Sequence, residues 1–469
     1  MTSSRIFFHE PEVSENRVKF TWESPALSNL FRDGRDFVEL QYHQQVKLDS
    51  ELAYNQLMAM FFPILHGAIQ GDVLVEFAET LPKDQIQRWM GMHSLHSIQN
   101  SSLRKDSIRV VSPMSEDSQP KERLENPPDG GIALLYGGGK DSLGALSLFS
   151  RLYPEEKLSL LRIHWSRQSV SRHRSIFNEN VIDLLQDRID FDYLECSSTL
   201  HINLKDRKTA YHVGINFYHA CCLPYYANSR FKIVNYSYDA LEFFTSPTMG
   251  YLSLRPEQAK ETTNILHGLG IPSSIRNISF GIPSFVHFDI ILSDERGLIP
   301  ITYMCEDTNE RWCHNCRKCL TFALLCLEAE LTSAESGIDY SRLFSSTGYF
   351  GVKVQPVLEQ HANTYSPILA YKAQFSSLRH LLSNINPNSL IHREILSEEQ
   401  GGAVQSLVDL YALEFPLTRK VWARAVQVED PLHYSLMLNH LRKIGISCFE
   451  GDSLILENEK SCEYSFNSN

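Results

Sequence analysis

The sequence predicts an α/β protein whose core is a doubly wound parallel sheet, flanked by an N-terminal α+β domain and a C-terminal helical region. Three observations predict it: apolar runs alternate with helical patterns between residues 132 and 236, a glycine-rich turn follows the first run, and helical spacing continues beyond residue 320. Strands that alternate with crossover helices form a parallel sheet covered on both faces. A chain of 469 residues holds about two to four domains. We place them at 1–128, 129–335 and 336–469.

The first region carries strand and helix patterns. Alternating apolar and polar residues predict strands at 5–9 and 18–22, and apolar residues at helical spacing predict a helix at 52–69. Residues 114–131 are polar and charged and contain Pro and Gly, which predicts a surface linker before the core.

The central region alternates between the two element types. We predict strands at 132–136, 158–165, 191–196 and 231–236, and helices at 142–151, 175–186 and 214–227. Ligands of such sheets bind at the carboxyl ends of the strands. Beyond the core, helical spacing predicts helices at 320–331, 368–382, 403–411 and 432–441.

Composition excludes several function classes. The net charge of -12 argues against a broad nucleic-acid surface, because phosphate contacts need clustered Lys and Arg. One local basic run indicates either a solvated face or the neighbourhood of a nucleotide phosphate; it consists of Arg162, Arg167, Arg172, His173 and Arg174. No apolar run approaches the roughly 18 to 20 residues that cross a bilayer, and no signal peptide is recognisable. We therefore expect a cytoplasmic protein without membrane association.

A glycine turn follows the first core strand, with the sequence Gly137-Gly138-Gly139-Lys140-Asp141-Ser142. Glycines let the backbone approach a phosphate, and the N–H groups of the following helix bind the anion. A Walker A loop is excluded because Leu134 stands at its first glycine and Asp141 follows the lysine, and Leu143 breaks the dinucleotide fingerprint. The alternative is a tight connection in which Asp141 and Ser142 only cap the helix.

Four of the ten cysteines lie within fifteen residues, with the spacing C-x7-C-x2-C-x2-C. Four thiolates satisfy tetrahedral Zn²⁺ completely, which is typical of a structural site. The predicted ligands are Cys305, Cys313, Cys316 and Cys319. The alternative is chance clustering. Cys221, Cys222 and Cys326 are predicted in the core, and Cys196 is a weak nucleophile candidate.

The glycine turn resembles the S-G-G-x-D-S loop of the PP-loop ATP-pyrophosphatase superfamily, with Gly137 in place of the first serine. The resemblance implies that the chain binds ATP and Mg²⁺. It implies that Gly137, Gly138, Gly139 and Ser142 bind pyrophosphate, that Asp141 holds Mg²⁺, and that Lys140 adds positive charge. The adenine would lie near the next strand end, at Ile163 and His164.

The loop and the cysteine cluster together resemble the 7-cyano-7-deazaguanine synthase family over residues 131–331. This resemblance implies ATP-dependent adenylation of a 7-carboxy-7-deazaguanine-like carboxylate, followed by transfer to an amine, with ammonia giving an amide and then, after a second activation, a nitrile. By position, His212, Asn216 and Asp239 would contact the deazapurine substrate; each is otherwise a turn or capping residue.

The two outer regions are absent from the compact biosynthetic enzymes and look more like the enlarged deazaguanine-synthase-like proteins of anti-phage systems, of the type IV CBASS or Qat kind. That likeness implies a defence partner, with ammonia or a protein amine as the acceptor, and a homodimer is a further expectation. Two other functions stay open. A tRNA-modifying PP-loop enzyme is opposed by the net charge, and a non-enzymatic nucleotide-binding module is favoured by Gly137 but opposed by Asp141 and Ser142.

Overall fold

A mixed β-sheet of eleven strands organises the part of the chain that the structure describes. The structure is a computed structural model that describes residues 4–69, 71–97, 108–115, 128, 130–165, 170–206, 209, 214–237, 256–304, 311–354, 381–411, 420–429, 431, 434–449, 453–455 and 463–465. In chain order the strands are β1 (Ser4–Phe8), β2 (Glu12–Ser14), β3 (Arg17–Glu23), β4 (Phe37–Tyr42), β5 (Val73–Phe77), β6 (Leu81–Pro82), β7 (Ile108–Val110), β8 (Met114–Ser115), β9 (Ile132–Leu135), β10 (Leu158–His164), β11 (Asp192–Ser198), β12 (Ile233–Asn235), β13 (Ser274–Arg276), β14 (Lys420–Trp422), β15 (Ser447–Phe449), β16 (Ser453–Ile455) and β17 (Glu463–Ser465).

The strand order of the large sheet is β13-β12-β9-β10-β11-β4-β3-β1-β5-β7, with β2 paired to β3. Strands β9 to β13 are all parallel to one another. Read in chain order, these five form a 3-2-1-4-5 arrangement, which is doubly wound about β9. The predicted α/β class is confirmed, and the sheet as a whole is mixed because β4 joins β11 in antiparallel fashion and brings the N-terminal strands with it.

Helices cover both faces of the five parallel strands. In chain order the α-helices are α1 (Pro25–Ser28), α2 (Ser50–Ala68), α3 (Lys83–Ser97), α4 (Lys140–Leu152), α5 (Val170–Phe177), α6 (Asp183–Gln186), α7 (Leu200–Asn203), α8 (Gly214–Ser229), α9 (Pro256–Gly268), α10 (Ser284–Leu292), α11 (Arg317–Glu328), α12 (Ser333–Ser336), α13 (Tyr340–Leu343), α14 (Pro387–His392), α15 (Glu398–Tyr411), α16 (Ala423–Glu429) and α17 (Tyr434–Lys443). A π-helical turn, Asn178–Ile182, joins α5 to α6.

Side-chain alternation along β9 separates two cores. Ile132 and Leu134 pack with α4, α10 and α11, whereas Ala133 and Leu135 pack with α2, α8 and α9. Every residue of β9 and β10 is buried. This pattern is typical of central parallel strands that are covered on both faces.

The N-terminal helix α2 is buried along nearly its whole length and lies against α8. Asp49 caps it by accepting a hydrogen bond from the backbone N–H of Leu52 at 2.8 Å. The side chain of Gln56 donates to the carbonyl oxygen of Ala220 at 2.8 Å. An element of the N-terminal region therefore completes one face of the parallel sheet.

The C-terminal region contains short strands as well as helices. Among its described residues, β14 pairs with β15 and β16 pairs with β17, in addition to α14 to α17. Helix α17 contacts α4, and α16 contacts the 3-10 turn Ile278–Gly281. The C-terminal helix that the sequence predicts at 403–411 is confirmed, the one at 432–441 is confirmed from Tyr434 onward, and most of 368–382 lies outside the described residues.

Candidate functional site

The glycine turn lies at the carboxyl end of β9, where the strand order reverses between β10 and β12. Gly138 has a left-handed backbone with φ of 78°. A Cβ atom there would lie 2.6 Å from Cε2 of Phe177, so only glycine fits both the conformation and the space. The carbonyl oxygen of Gly138 accepts a hydrogen bond from the backbone N–H of Tyr303 at 2.8 Å.

Helix α4 begins directly after this turn. Gly139 occupies the N-cap position and, having no side chain, supplies no cap to the first turn. The hydroxyl of Ser142 donates to the carbonyl oxygen of Gly139 at 3.1 Å, so it lies at the start of the helix. The arrangement is a strand, a close turn and a helix N-terminus, which favours an anion through backbone N–H groups and the helix dipole.

Lys140 and Asp141 form an ion pair at the first turn of α4. The Lys140 Nζ lies 3.2 Å and 3.1 Å from the two carboxylate oxygens of Asp141. The lysine side chain is buried, whereas that of Asp141 is 27% exposed. The positive charge therefore lies at the loop, and the carboxylate keeps a solvent-facing side.

The carboxyl end of β10, beside the glycine turn, carries a buried polar network. His164 is fully buried, and its Nε2 lies 3.1 Å from an oxygen of Glu195. Arg174 donates to the other oxygen of Glu195, through Nε at 2.8 Å and also through its terminal nitrogen, and Asn178 of the π turn donates at 3.3 Å. The carboxylate of Glu195 is thus satisfied from three sides.

Burial and hydrogen bonding set the protonation states of this network. Burial raises the pKa of Glu195, but hydrogen bonds from His164, Arg174 and Asn178 outweigh it and hold the pKa well below its usual range. Burial lowers the pKa of His164 to about 4 despite the hydrogen bond to Glu195. At neutral pH the network therefore contains a charged Glu195–Arg174 pair and a neutral His164.

The other residues that the sequence singles out are placed as follows. Ile163 points to the opposite face of β10 from His164 and packs in the core with α8. Asn216 is buried in the first turn of α8, and its Oδ1 accepts a hydrogen bond from Gln258 of α9 at 2.9 Å. His212, Asp239 and Cys305 lie outside the described residues. Neither Ile163 nor Asn216 shares the sheet face on which α4 packs.

Three further buried polar residues lie at this site: Arg162 and His173 belong to the basic run that indicated a solvated face or a phosphate neighbourhood, and their burial excludes a solvated face for these two, whereas His287 was not predicted. Arg162, His173 and His287 are 7%, 5% and 0% exposed, and all three lie near the loop or its helix. Both ring nitrogens of His173 and of His287 have no hydrogen-bond partner among the described residues. The signal that could have found Arg162 is an arginine inside an otherwise apolar strand run.

Three of the predicted zinc ligands come together at the N-terminus of α11. The Sγ atoms of Cys313, Cys316 and Cys319 lie within 4.8 Å of one another. The Cys313–Cys319 and Cys316–Cys319 separations are 3.7 Å and 3.5 Å, close to the roughly 3.8 Å that two thiolates span on tetrahedral Zn²⁺ with Zn–S bonds of about 2.3 Å. The three cysteines therefore fit a metal ion such as zinc.

Local structure shapes this cysteine cluster. His314 has a left-handed backbone with φ of 54°, which turns the chain between the first two cysteines. The backbone N–H of Asn315 donates to Sγ of Cys313 at 3.4 Å. Cys316 is the N-cap residue of α11, so the helix dipole favours a thiolate there. Trp312 stacks on Phe322 at a centroid distance of 4.8 Å and fixes the cysteine cluster on the core.

Comparisons with known proteins identify no relative of this chain. The chain matches no protein-family model, and neither a curated protein nor a solved structure shows significant similarity to it. Within the described ranges, no helix combines the length and the apolarity needed to span a bilayer.

Proposed function

We propose that this protein activates a carboxylate with ATP, transferring AMP to it and releasing pyrophosphate. The observation that carries the proposal is the glycine turn between the buried strand β9 and the N-terminus of α4, at the switch point of a doubly wound sheet. Open α/β sheets bind their ligands at this point, and the helix N-terminus favours phosphate. The left-handed Gly138 supports a close approach of the backbone to the ligand.

In the proposed reaction a carboxylate oxygen of the substrate attacks the α-phosphorus of ATP. The bond between the α-phosphorus and its bridging oxygen breaks, and pyrophosphate leaves with the electron pair. The backbone of Gly137 to Gly139, together with Ser142 and Lys140, would bind the departing pyrophosphate. Asp141 would hold Mg²⁺, which neutralises phosphate charge, through the side of its carboxylate that faces solvent.

We propose a deazapurine acid as the substrate, on the strength of the loop and cysteine spacing described above. In the second step an amine attacks the acyl carbon, AMP leaves, and the amine gives up a proton, so an amide forms. The acceptor is ammonia or an amine of a partner protein, and the enlarged outer regions favour a role in anti-phage defence. Cys305 would complete the zinc site as its fourth thiolate.

One observation favours a second candidate, a module that holds a nucleotide without turning it over. Lys140 Nζ contacts both oxygens of Asp141 and so competes with Mg²⁺ for this carboxylate. In that case the loop would bind the phosphates of ATP and the flanking regions would engage a partner. The two candidates differ in whether AMP appears.

The test is product analysis of the zinc-loaded protein with Mg²⁺ and ATP, with and without 7-carboxy-7-deazaguanine. We expect AMP and pyrophosphate in equal amounts only when the acid is present. Asp141→Asn keeps the size of the side chain and is expected to retain ATP binding while losing turnover. ADP as the product, or unchanged ATP in the presence of the acid, would contradict the proposal, and unchanged ATP that still binds would establish the second candidate.

A further inference from the structure

Arg162 lies in the middle of β10, a strand in which all seven residues are buried. Its side chain points to the same face as His164, two residues later, and is 7% exposed. An isolated charge in such a position is strongly unfavourable unless an opposite charge compensates it. The contacts of this guanidinium therefore indicate the role of its charge.

Arg162 has no carboxylate partner among the described residues. Its guanidinium carbon lies 4.1 Å from the ring centroid of Phe177, and its NH1 donates to the carbonyl oxygen of Tyr136 at 3.3 Å. Its buried Nε has no acceptor within the described part of the chain. The two neighbouring cations differ, because Lys140 pairs with Asp141 and Arg174 pairs with Glu195. Glu195 lies opposite Arg162 on β11, but its described ion pair and hydrogen bonds go to Arg174, His164 and Asn178. The buried guanidinium beside the glycine turn thus makes no described ion pair of its own.

The guanidinium of Arg162 faces the loop at its first glycine. A Cβ atom built on Gly137 would lie 3.8 Å from NH1 of Arg162 and 3.9 Å from Oγ of Ser142, with no closer neighbour. The space next to Gly137 is therefore bounded by a guanidinium on one side and the start of α4 on the other. A serine hydroxyl at this position, as in the loops that this one resembles, would occupy the same space.

His173 lies next to this arginine and stays neutral. Its ring centroid lies 5.8 Å from that of His164 and 6.5 Å from that of Phe177. Burial first, and then the charges of Arg162 and His164, lower the pKa of His173 to about 3. His173 therefore neither neutralises the charge of Arg162 nor adds to it at neutral pH.

We infer that Arg162 is an anion-binding residue of the glycine loop, which donates to the pyrophosphate portion of the nucleotide from the space that the absent side chain of Gly137 leaves free. Arginine suits this role because its fork of donors matches phosphate geometry. The inference rests on the proposed function in that it assigns the loop to a nucleotide. It adds a charged donor that the loop sequence alone does not contain.

The first experiment titrates inorganic pyrophosphate, without nucleotide, into the full-length zinc-loaded protein by calorimetry. Arg162→Met removes the charge and keeps an unbranched apolar stem over Phe177, and we expect pyrophosphate to bind about 10- to 100-fold more weakly. The matched control is Arg188→Met. Arg188 donates to the carbonyl oxygen of Arg296 and lies before β11, at the amino end of the parallel strands and away from the glycine turn, so its loss is expected to leave pyrophosphate affinity unchanged.

A second pair of variants keeps the arginine and reports its position. Gly137→Asp places a carboxylate next to Arg162, whereas Gly137→Asn places a neutral side chain of the same shape there. If the guanidinium faces the loop, the aspartate variant pairs with it and melts at a higher temperature than the asparagine variant, while binding no pyrophosphate. This comparison stays decisive even if Arg162→Met fails to fold.

The outcomes separate the inference from the proposed function. Unchanged pyrophosphate affinity in Arg162→Met, or equal melting temperatures of the two Gly137 variants, overturns the role of Arg162 and leaves the adenylation proposal intact if AMP still forms. Absence of pyrophosphate binding by the unmodified protein overturns the inference, and the adenylation proposal is overturned as well only if AMP fails to form. Weaker binding in Arg162→Met, together with a more stable aspartate variant, supports the inference whether or not a deazapurine acid proves to be the substrate.

Discussion

Gly144 allows two helices to approach each other directly behind the glycine turn. It lies in the second turn of α4, and α10 crosses α4 at this point. A Cβ atom on Gly144 would lie 2.7 Å from Nδ1, 2.9 Å from Cβ and 2.9 Å from the carbonyl oxygen of His287. The optimal separation of non-bonded carbon atoms is about 3.5 to 4.0 Å. The Cβ and the carbonyl oxygen of His287 cannot rotate away, so Gly144→Ala has to push the helices apart.

The change that Gly144→Ala makes in the free energy of unfolding follows from two opposing contributions. Overpacking of a tight core typically costs about 1 to 3 kcal/mol, and a contact with a backbone oxygen places this site near the upper end. Alanine is favoured over glycine in a helix interior by about 1 kcal/mol or slightly less. The net expectation is that Gly144→Ala lowers the free energy of unfolding by about 2 kcal/mol.

Gly402 supplies a matched control for the same substitution. It lies within helix α15, and a Cβ atom there would meet no atom within 4 Å. Gly402→Ala therefore gains the helix preference without a clash and is expected to raise stability by up to about 1 kcal/mol. The two variants should shift the protein in opposite directions although the chemical change is identical.

Thermal unfolding followed by far-UV circular dichroism measures both variants. A change of 1 kcal/mol shifts the melting temperature by about 2 to 4 °C for units of 150 to 250 residues, so we expect Gly144→Ala to melt about 4 to 8 °C lower. Because α4 starts at the loop, the same variant is expected to bind pyrophosphate more weakly. A Gly144→Ala protein as stable as the unmodified chain would refute the close approach of α4 and α10.

Two further predictions concern the metal and the pH dependence of stability. The purified protein is expected to hold one Zn²⁺ per chain, and either chelation or Cys316→Ala should remove the metal and lower the melting temperature. The control Cys326→Ala, in the buried part of the same helix, should retain the metal. Full zinc content in Cys316→Ala would contradict the site. Burial lowers the pKa of His219 from 6.5 to about 3. Between pH 6.5 and pH 3 the imidazole is therefore protonated only in the unfolded chain, and the free energy of unfolding falls as the pH is lowered. Urea titrations of His219→Gln should show a loss between pH 8 and pH 5 that is smaller by about 2 kcal/mol, and an unchanged loss would contradict a neutral buried His219.

Elements with strong local patterns were predictable from the sequence. The buried runs of β9 and β10 and the apolar face of α4 agree with the predicted bounds to within two residues, because burial on both faces leaves an uninterrupted apolar signal. The glycine turn was equally predictable, since its residues are contiguous in the sequence. The cysteine spacing likewise predicted a cluster, and the structure places Cys313, Cys316 and Cys319 together.

Other features depend on contacts between distant parts of the chain. The helix that begins at Val170 was predicted to begin at 175, and the π turn Asn178–Ile182 adds a residue that breaks the 3.6-residue period. The pairing of Asn216 with Gln258 joins two helices that local spacing cannot relate. The burial of Arg162 was missed as well, because an arginine by itself predicts a surface position, and only its apolar neighbours in β10 indicate otherwise.

The antiparallel pairing of β4 with β11 limits how this gene can be divided or recombined. A break near residue 128 would turn β11 into an open edge with unpaired N–H and C=O groups, and would strip α2 from the apolar surface of α8. Such a fragment would present a template for strand addition and an uncovered helix, both of which promote aggregation. The glycine turn and the N-terminal strands therefore belong to one folding unit, and a division or an insertion near residue 128 is expected to destabilise both.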